Sequence, residues 1–407
     1  MPAHLRWACA LVLAYGPPAL AGAAEPAPAT LRWADVAAAI DRDPRVAASR
    51  SRVRSAEGAL TAARTPPNPE LEATAGRADA RDGATRRNEW GFALTLPLDW
   101  LARRGPEVDA ARATVDEAAE EARALRAEVT AELWRLHVGA AYAQAEVETL
   151  EATERQVDAL ARLVRRRVEA GEGRPVEIPR VELELERVRN QIDAALALRD
   201  GALAQLAAWL TVPVQRVELP SPPPPLEAGS PVLDGSAHPR VRAALARAEA
   251  ARAEASAARR SRVPALSVGG FYTSELDREA VGGRVGVELP VWDWRSGRVR
   301  RAEAVAAAEA SRAEAEGRAL AAALADAAAA CGRARAVADR QKNRILPRAE
   351  ESARTLERTF QLGEAGILDV IDARRVLLEA RREYLSSARE RDVACGALIL
   401  LSGRELP

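Results

Sequence analysis

The sequence predicts a mainly α-helical protein with a small membrane β portion: long antiparallel coiled-coil hairpins plus four strands per chain. Three observations carry this. Ala/Glu/Arg-rich stretches dominate a chain of 407 residues that is 48% apolar, 29% charged and only 4% aromatic, the composition of long helices rather than of a mixed core. Two glycine-rich turns, Ala170-Gly171-Glu172-Gly173 and Leu362-Gly363-Glu364-Ala365-Gly366, each fold two such stretches into a hairpin. In each half, two short runs alternate large apolar residues with small or polar ones at a period of two, as strands with unlike faces do.

Residues 1–24 read as a secretory signal peptide, with Arg6, an apolar run over 7–15, a Gly-Pro-Pro break and small residues at 19–24. Beyond it no run of about 18 apolar residues remains. An exported chain of this kind crosses a membrane only as strands. The 59 basic side chains balance 59 acidic ones, which argues against nucleic acid as a partner.

The remaining chain divides into a first repeat (25–211), a Pro-rich linker (212–237) and a second repeat (238–407). Residues 31–64 form a helix with Val36, Ile40, Val46, Val53 and Leu60 apolar and a dent at Pro44; Pro66-Pro67-Asn68-Pro69 ends it. Strands are expected at 70–76 and 89–96. In the second, Trp90, Phe92, Leu94 and Leu96 share one face, and Gly91, Ala93 and Thr95 the other. A long helix from Pro106 to about Val168 carries apolar residues at alternating three and four spacing, a coiled-coil seam. One extra residue between Val129 and Leu133 makes a stutter. Residues 175–210 return as a helix, with Pro179 tolerable only in its first turn. The linker, with prolines at 222–225, is semi-rigid.

Then the pattern restarts. Pro44-Arg45-Val46 recurs as Pro239-Arg240-Val241, and Pro69-Glu70-Leu71 as Pro264-Ala265-Leu266, both 195 residues on. A shorter strand pair reduces the offset to 192, matching Gly105 with Gly297 and Gly171 with Gly363. This is a tandem duplication. In the second copy Leu266, Val268 and Tyr272 alternate with Ser267, Gly269 and Thr273, and Val285, Val287 and Leu289 with Arg284, Gly286 and Glu288. Residues 298–362 form a helical arm approaching ~100 Å, interrupted only at Pro347, and the last helix ends near Gly403. In each half the first and last helices match the long one in length and stack end to end beside it.

Four strands cannot close a barrel, and open edges are prohibitively costly in lipid. Several chains must therefore contribute, three copies giving twelve strands. Trp90, Trp100, Trp292 and Trp294 lie in or beside the strand pairs, as interfacial aromatics do. Cys331 and Cys395 fall 32 residues either side of Gly363, at similar height on antiparallel arms. They are expected as small core residues in Ala-like positions, with a bridge in an oxidising compartment as the alternative. His137, at a seam edge, is expected to be structural. No clustered His, Cys or Met suggests a metal site, and no nucleophile with a base or phosphate loop appears. No enzyme activity, cofactor or bound metal is expected.

The duplicated layout, the Asn68-Pro69-Glu70-Leu71 segment, Leu289-Pro290-Val291 followed by Arg295-Ser296-Gly297, the Ile345-Leu346-Pro347 interruption and Phe360-Gln361-Leu362-Gly363 with Leu368-Asp369-Val370-Ile371-Asp372-Ala373 resemble the TolC-type outer-membrane efflux proteins, in particular their CzcC-like heavy-metal branch. The resemblance implies a homotrimer, with a 12-stranded barrel in outer-membrane lipid and a 12-helix tunnel in the periplasm. The tunnel would dock by its tips onto a periplasmic adaptor (a membrane fusion protein) linked to an inner-membrane efflux pump. Such an RND-type tripartite system would export heavy-metal cations or small toxic compounds. The alternatives are a channel for type I protein secretion and a periplasmic coiled-coil adaptor or scaffold.

The family's periplasmic gate maps onto Asp369 and Asp372, six carboxylates in a trimer; taken singly, each also reads as a first-turn charge on the helix dipole. The first repeat departs here, with Glu177 and Arg180. Gly171, Gly173, Gly363 and Gly366 are expected as turn formers that present backbone to the adaptor.

Overall fold

The computed structural model describes residues 30–79, 86–225, 238–275, 278–289 and 291–406. The expected signal peptide, the middle of the first strand turn and the second half of the linker lie outside them. Among the described residues, no helix is long and apolar enough to cross a membrane.

Helix α1 (Trp33–Ala39) runs through a 3-10 turn into α2 (Pro44–Arg64). The break at Pro44 is a helix start. Asp43 accepts the Arg45 amide at 2.7 Å and Pro44 supplies the first helical position, where its missing N–H costs nothing. The second half repeats the device in α5 (Pro239–Arg260), where His238 Nδ1 accepts the Arg240 amide at 3.2 Å.

Strands β1 (Glu70–Asp79), β2 (Arg86–Pro97), β3 (Leu266–Ser274) and β4 (Glu279–Val287) form one antiparallel sheet in the order β1-β2-β3-β4. β1 and β2 run further into their turn than the side-chain alternation suggests. Their ladder continues through the polar pairs Arg77–Asn88 and Asp79–Arg86, because backbone pairing does not need the apolar pattern to persist. The two halves join at β2 and β3, where Phe92 lies opposite Tyr272. The register places Leu71, Trp90, Phe92, Leu94, Val268, Tyr272, Val281 and Val285 on one face. That face is uncovered: Val281 is 85% exposed. The opposite face carries Glu70, Glu72, Thr74, Gly91, Thr95, Gly269, Thr273 and Arg284. Beside the sheet, Trp292 is 94% exposed.

Helix α3 (Asp99–Glu169) has 71 residues, about 105 Å at 1.5 Å each. It starts seven residues before the expected Pro106. Gly105-Pro106 looks like a helix start, but the helix follows directly from β2 and accommodates Pro106 in its second turn, forgoing one amide bond. α3 pairs along its upper half with α2 and α5 and along its lower half with α4 (Glu177–Leu210) and α8 (Ile367–Leu401). The arm of the second half, expected to be broken at Pro347, is α6 (Ser296–Arg340), a single π-helical turn (Gln341–Ile345) and α7 (Leu346–Gln361). The wide turn precedes the proline and absorbs its clash with the turn before it.

Around the stutter, α3 is buried on several sides. Leu133, Trp134, Val138 and Ala141 pack with Leu31, Trp33, Val36 and Leu206 in one core, closed by the linker where Val217 bridges to Leu31. A polar knot ties this core to α8. Asp392, fully buried, accepts from Tyr142 Oη at 2.6 Å and Arg391 Nε at 2.7 Å, and its carbonyl accepts from Trp134 Nε1 at 3.0 Å. Lower down, Val147, Leu150, Val164, Val181, Leu185, Val188 and Ile192 fill the α3–α4 seam, whereas α7 meets α8 through Ala349, Ala353, Ala373, Leu377 and Ala380.

One expectation is overturned here. Cys331 of α6 and Cys395 of α8 form a disulfide, with Cα atoms 4.7 Å apart. Equal spacing from the turn put them at one height. Only the packing of α6 on α8, around Ala327 and Ala328 with Leu320, Leu324 and Leu398, brings them into the same helical phase.

A Cβ at Gly396 would overlap the Trp134 indole, so Gly396→Ala is expected to displace the ring from the Asp392 carbonyl and abolish recovery of folded protein, read by membrane yield. His137 is fully buried between Trp33 and Trp134 with neither ring nitrogen hydrogen-bonded. Burial lowers its pKa to about 4, partly opposed by Asp35. The unfolded chain therefore binds this proton more readily, and its contribution to stability is lost as pH falls from about 6.5 to about 4, roughly 3 kcal/mol in all. Thermal unfolding against pH should show this slope in the native chain, and His137→Phe should flatten it.

Candidate functional site at the helical tips

The end of the molecule opposite the sheet is formed by the two turns. Each closes with the same bond pattern. The Gly171 amide donates to Val168 O at 3.0 Å and Glu172 to Arg167 O at 2.9 Å, as Gly363 does to Phe360 O and Glu364 to Thr359 O. The pattern requires a left-handed residue after the helix, and Gly171 and Gly363 supply it with φ of 77° and 82°. The other two tip glycines differ. Gly173 makes room for the Val168 side chain, and Gly366 caps α8 in an extended conformation open to any residue.

Asp369 and Asp372 both lie exposed on the first turns of α8. Asp369 Oδ2 accepts the Gly366 amide at 3.0 Å, an N-terminal cap that satisfies a free helical amide. Asp372 lies 3.5 Å from Arg375.

Arg375 is the centre of a latch that sequence reading did not find. Its Nε and Nη2 donate to both carboxylate oxygens of Glu184 on α4, at 2.5–3.0 Å, in the fork geometry suited to a carboxylate. Hydrogen bonding to Glu184 raises the pKa of Arg375. Glu184 is nearly buried and also lies 3.5 Å from Arg187. The neighbouring Arg374 binds Glu357 of α7 at 2.9 Å, so consecutive arginines tie the start of α8 to both hairpins. On the other side of the tip, Arg167 of α3 donates to Phe360 O at 2.9 Å, with its guanidinium 4.9 Å above the Phe360 ring. The available signal was a carboxylate directly beside a seam leucine, Glu184-Leu185, with Leu183 turned to the surface.

Above this latch a groove of about 990 Å³ opens between α3, α4 and α8, lined by charges of both signs including Arg135, Glu146, Arg382 and Arg389. Among the described residues, no group of three or more His, Cys, Asp or Glu is placed to hold a metal ion.

The family model described as outer membrane efflux protein matches residues 36–211 and 236–404. The chain belongs to that family. It is 26% identical over 350 residues to the cobalt-zinc-cadmium resistance protein CzcC of Cupriavidus metallidurans, covering 84% of this chain and 82% of the relative. Its fold is similar to the crystal structure of CusC (TM-score 0.77, 18% identity, 92% of each chain). It is also similar to the open-state outer membrane channel MtrE of Neisseria gonorrhoeae (TM-score 0.73, 20% identity, 90% of this chain and 87% of that one). This efflux protein is thus an outer-membrane channel with its helical part in the periplasm. Its uncovered apolar sheet face is suited to lipid, and its Glu- and Thr-lined face to an aqueous interior.

Removing the latch cation leaves Glu184 partly buried without its fork. Arg375→Ala is expected to speed amide exchange over residues 370–375 by roughly tenfold, about 1.4 kcal/mol, with α4 unchanged; hydrogen exchange by mass spectrometry checks this.

Proposed function

We propose that three copies of the chain close a twelve-stranded barrel and a twelve-helix tunnel, and that this duct passes heavy-metal cations or small toxic compounds outward in a tripartite system. One observation carries the trimer: a four-stranded sheet with an apolar outer face and two unpaired edges, which lipid tolerates only if other strands complete it. Twelve strands fit three chains, β1 of one beside β4 of the next.

The cargo reading rests on the metal-resistance relative and on the acidic tips. Three chains bring three Asp369 and three Asp372 together where the tunnel narrows, a ring that attracts cations. At this level α8 is held by Arg375–Glu184 and Arg374–Glu357. Asp369 keeps one oxygen on the Gly366 amide, which orients the carboxylate while the other oxygen faces outward.

The partner at the tips is a periplasmic adaptor that connects the duct to an inner-membrane pump. Support comes from apolar side chains left uncovered around the turns, namely Val176, Leu362 and Leu368, beside the turn backbone at Gly171, Gly173, Gly363 and Gly366. Exposed leucines at the end of a helical hairpin are costly unless something covers them. Selection of cargo then belongs mainly to the pump and adaptor.

The gate assignment is tested in planar bilayers. Asp369→Ala with Asp372→Ala is expected to raise single-channel conductance and to weaken block by divalent cations by at least severalfold. Conductance and block equal to those of the native channel would remove both residues from the gate.

A further inference from the structure

We propose that Phe271, laid flat across Gly282 on the inner face of the sheet, sets the bore of the barrel and with it the largest solute that the outer end of the duct passes. The proposal rests on the reading of three chains closing a twelve-stranded barrel.

A barrel of that size makes its inward side chains decisive. Eight strands enclose a space that side chains fill, whereas sixteen or more leave an aqueous channel. With twelve, the open width is what the inward residues leave. The register settles which residues those are: Glu72, Ala93, Phe271 and Gly282 form one row across the four strands, on the face that also carries Thr95, Gly269 and Arg284. Among the described strand residues Phe271 is the only aromatic on this face, since Trp90, Phe92 and Tyr272 all lie on the apolar one.

The ring does not stand into the bore. A Cβ at Gly282 would lie 2.6 Å from Phe271 Cζ and 2.7 Å from Cε1, well inside the ordinary carbon contact of about 3.5–4.0 Å. Cζ is the far tip of the side chain. The phenyl group therefore reaches sideways over β4, tip first, and rests on the Gly282 backbone. Phe271 is accordingly only partly exposed, although no helix packs over the sheet among the described residues, whereas Phe92 on the other face is 49% exposed. Lying flat removes apolar surface from lumen water and covers a glycine that would otherwise weaken its strand.

Only the missing side chain at Gly282 allows this. On its other side Phe271 faces Ala93, whose methyl occupies the space that Gly282 leaves empty. A methyl at position 282 would close the second side too, and the ring, flanked by Cβ groups on both neighbouring strands, would have to stand upright toward the axis. Three chains would then place three rings at one level of the barrel.

Full-length protein in planar bilayers tests this with poly(ethylene glycol)s of graded size added on the side of the barrel mouth, where a polymer that enters lowers the single-channel conductance. Gly282→Ala is expected to form a heat-stable oligomer like the native one and to lose entry of the largest polymers that the native barrel admits, with entry from the tunnel side unchanged. Phe271→Ala with Gly282→Ala is expected to regain them. Phe271→Ala alone, which removes a ring already lying on the wall, is expected to keep the native size limit. A limit that Gly282→Ala does not lower, or a loss that persists in the double variant, overturns the proposal. So does a raised limit in Phe271→Ala alone, which would place the native ring in the bore. Failure of Gly282→Ala to assemble while the double variant assembles would make the well a packing requirement of the sheet and overturn it as well. If the native chain forms neither oligomer nor channel, the trimeric barrel itself fails, a result distinct from a channel indifferent to these substitutions.

Discussion

An exposed sheet edge in hydrocarbon leaves a row of amides and carbonyls with no partner, each at a cost of several kcal/mol. Everything in this chain is arranged around that constraint. Four strands present an apolar face outward and a Glu-, Thr- and Gly-lined face inward, and both of their outer edges await pairing. A helical wall with the same in-order arrangement hangs from them, α2, α3, α5 and α6 each continuing from a strand. The sheet thus fixes the order of the helices, and the helices carry the openings of the strands far into the periplasm.

The two halves share a plan but differ in mechanical character. In the first, an unbroken α3 interlocks with α4 through branched side chains, a stiff pair. In the second, a π-helical turn splits the descending arm, and α7 meets α8 through alanines with Leu346, Leu356 and Leu377. The interrupted pair carries the aspartates. Its start is held to the stiffer one by a forked Arg375–Glu184 contact whose acid is nearly buried, and its upper end is bound by a disulfide. Polar contacts that can be exchanged sit at the tip, and the covalent bond sits at mid-height.

At that mid-height the halves are also joined by buried polarity. Asp392 has no solvent contact and relies on Tyr142, Arg391 and its neighbours, while His137 stays neutral between two tryptophans. A buried charge without such partners would be strongly unfavourable. Their cooperation ties α3 to α8 where the stutter lets α3 turn several faces inward.

The elements and their pairing into hairpins could be read along the chain. Period-two runs fixed which residues of β2 and β4 face lipid, the recurrence of Pro44-Arg45-Val46 at Pro239 revealed the duplication, and Gly171 and Gly363 marked the turns, because each of these depends on local backbone geometry or on spacing along one chain. Prolines misled at both ends of the first half: Pro44, expected to dent one helix over 31–64, starts α2, and Pro106, expected to start the long helix, lies inside α3 because the preceding strand sets that helix in motion. Tertiary structure alone decided what depends on helical phase between distant segments. Height along the hairpin could be counted from Gly363, but rotation about each helix axis could not. That rotation made Cys331 and Cys395 a bridge, set Glu184 opposite Arg375 across 191 residues, and turned Asp392 inward to Trp134 and Tyr142.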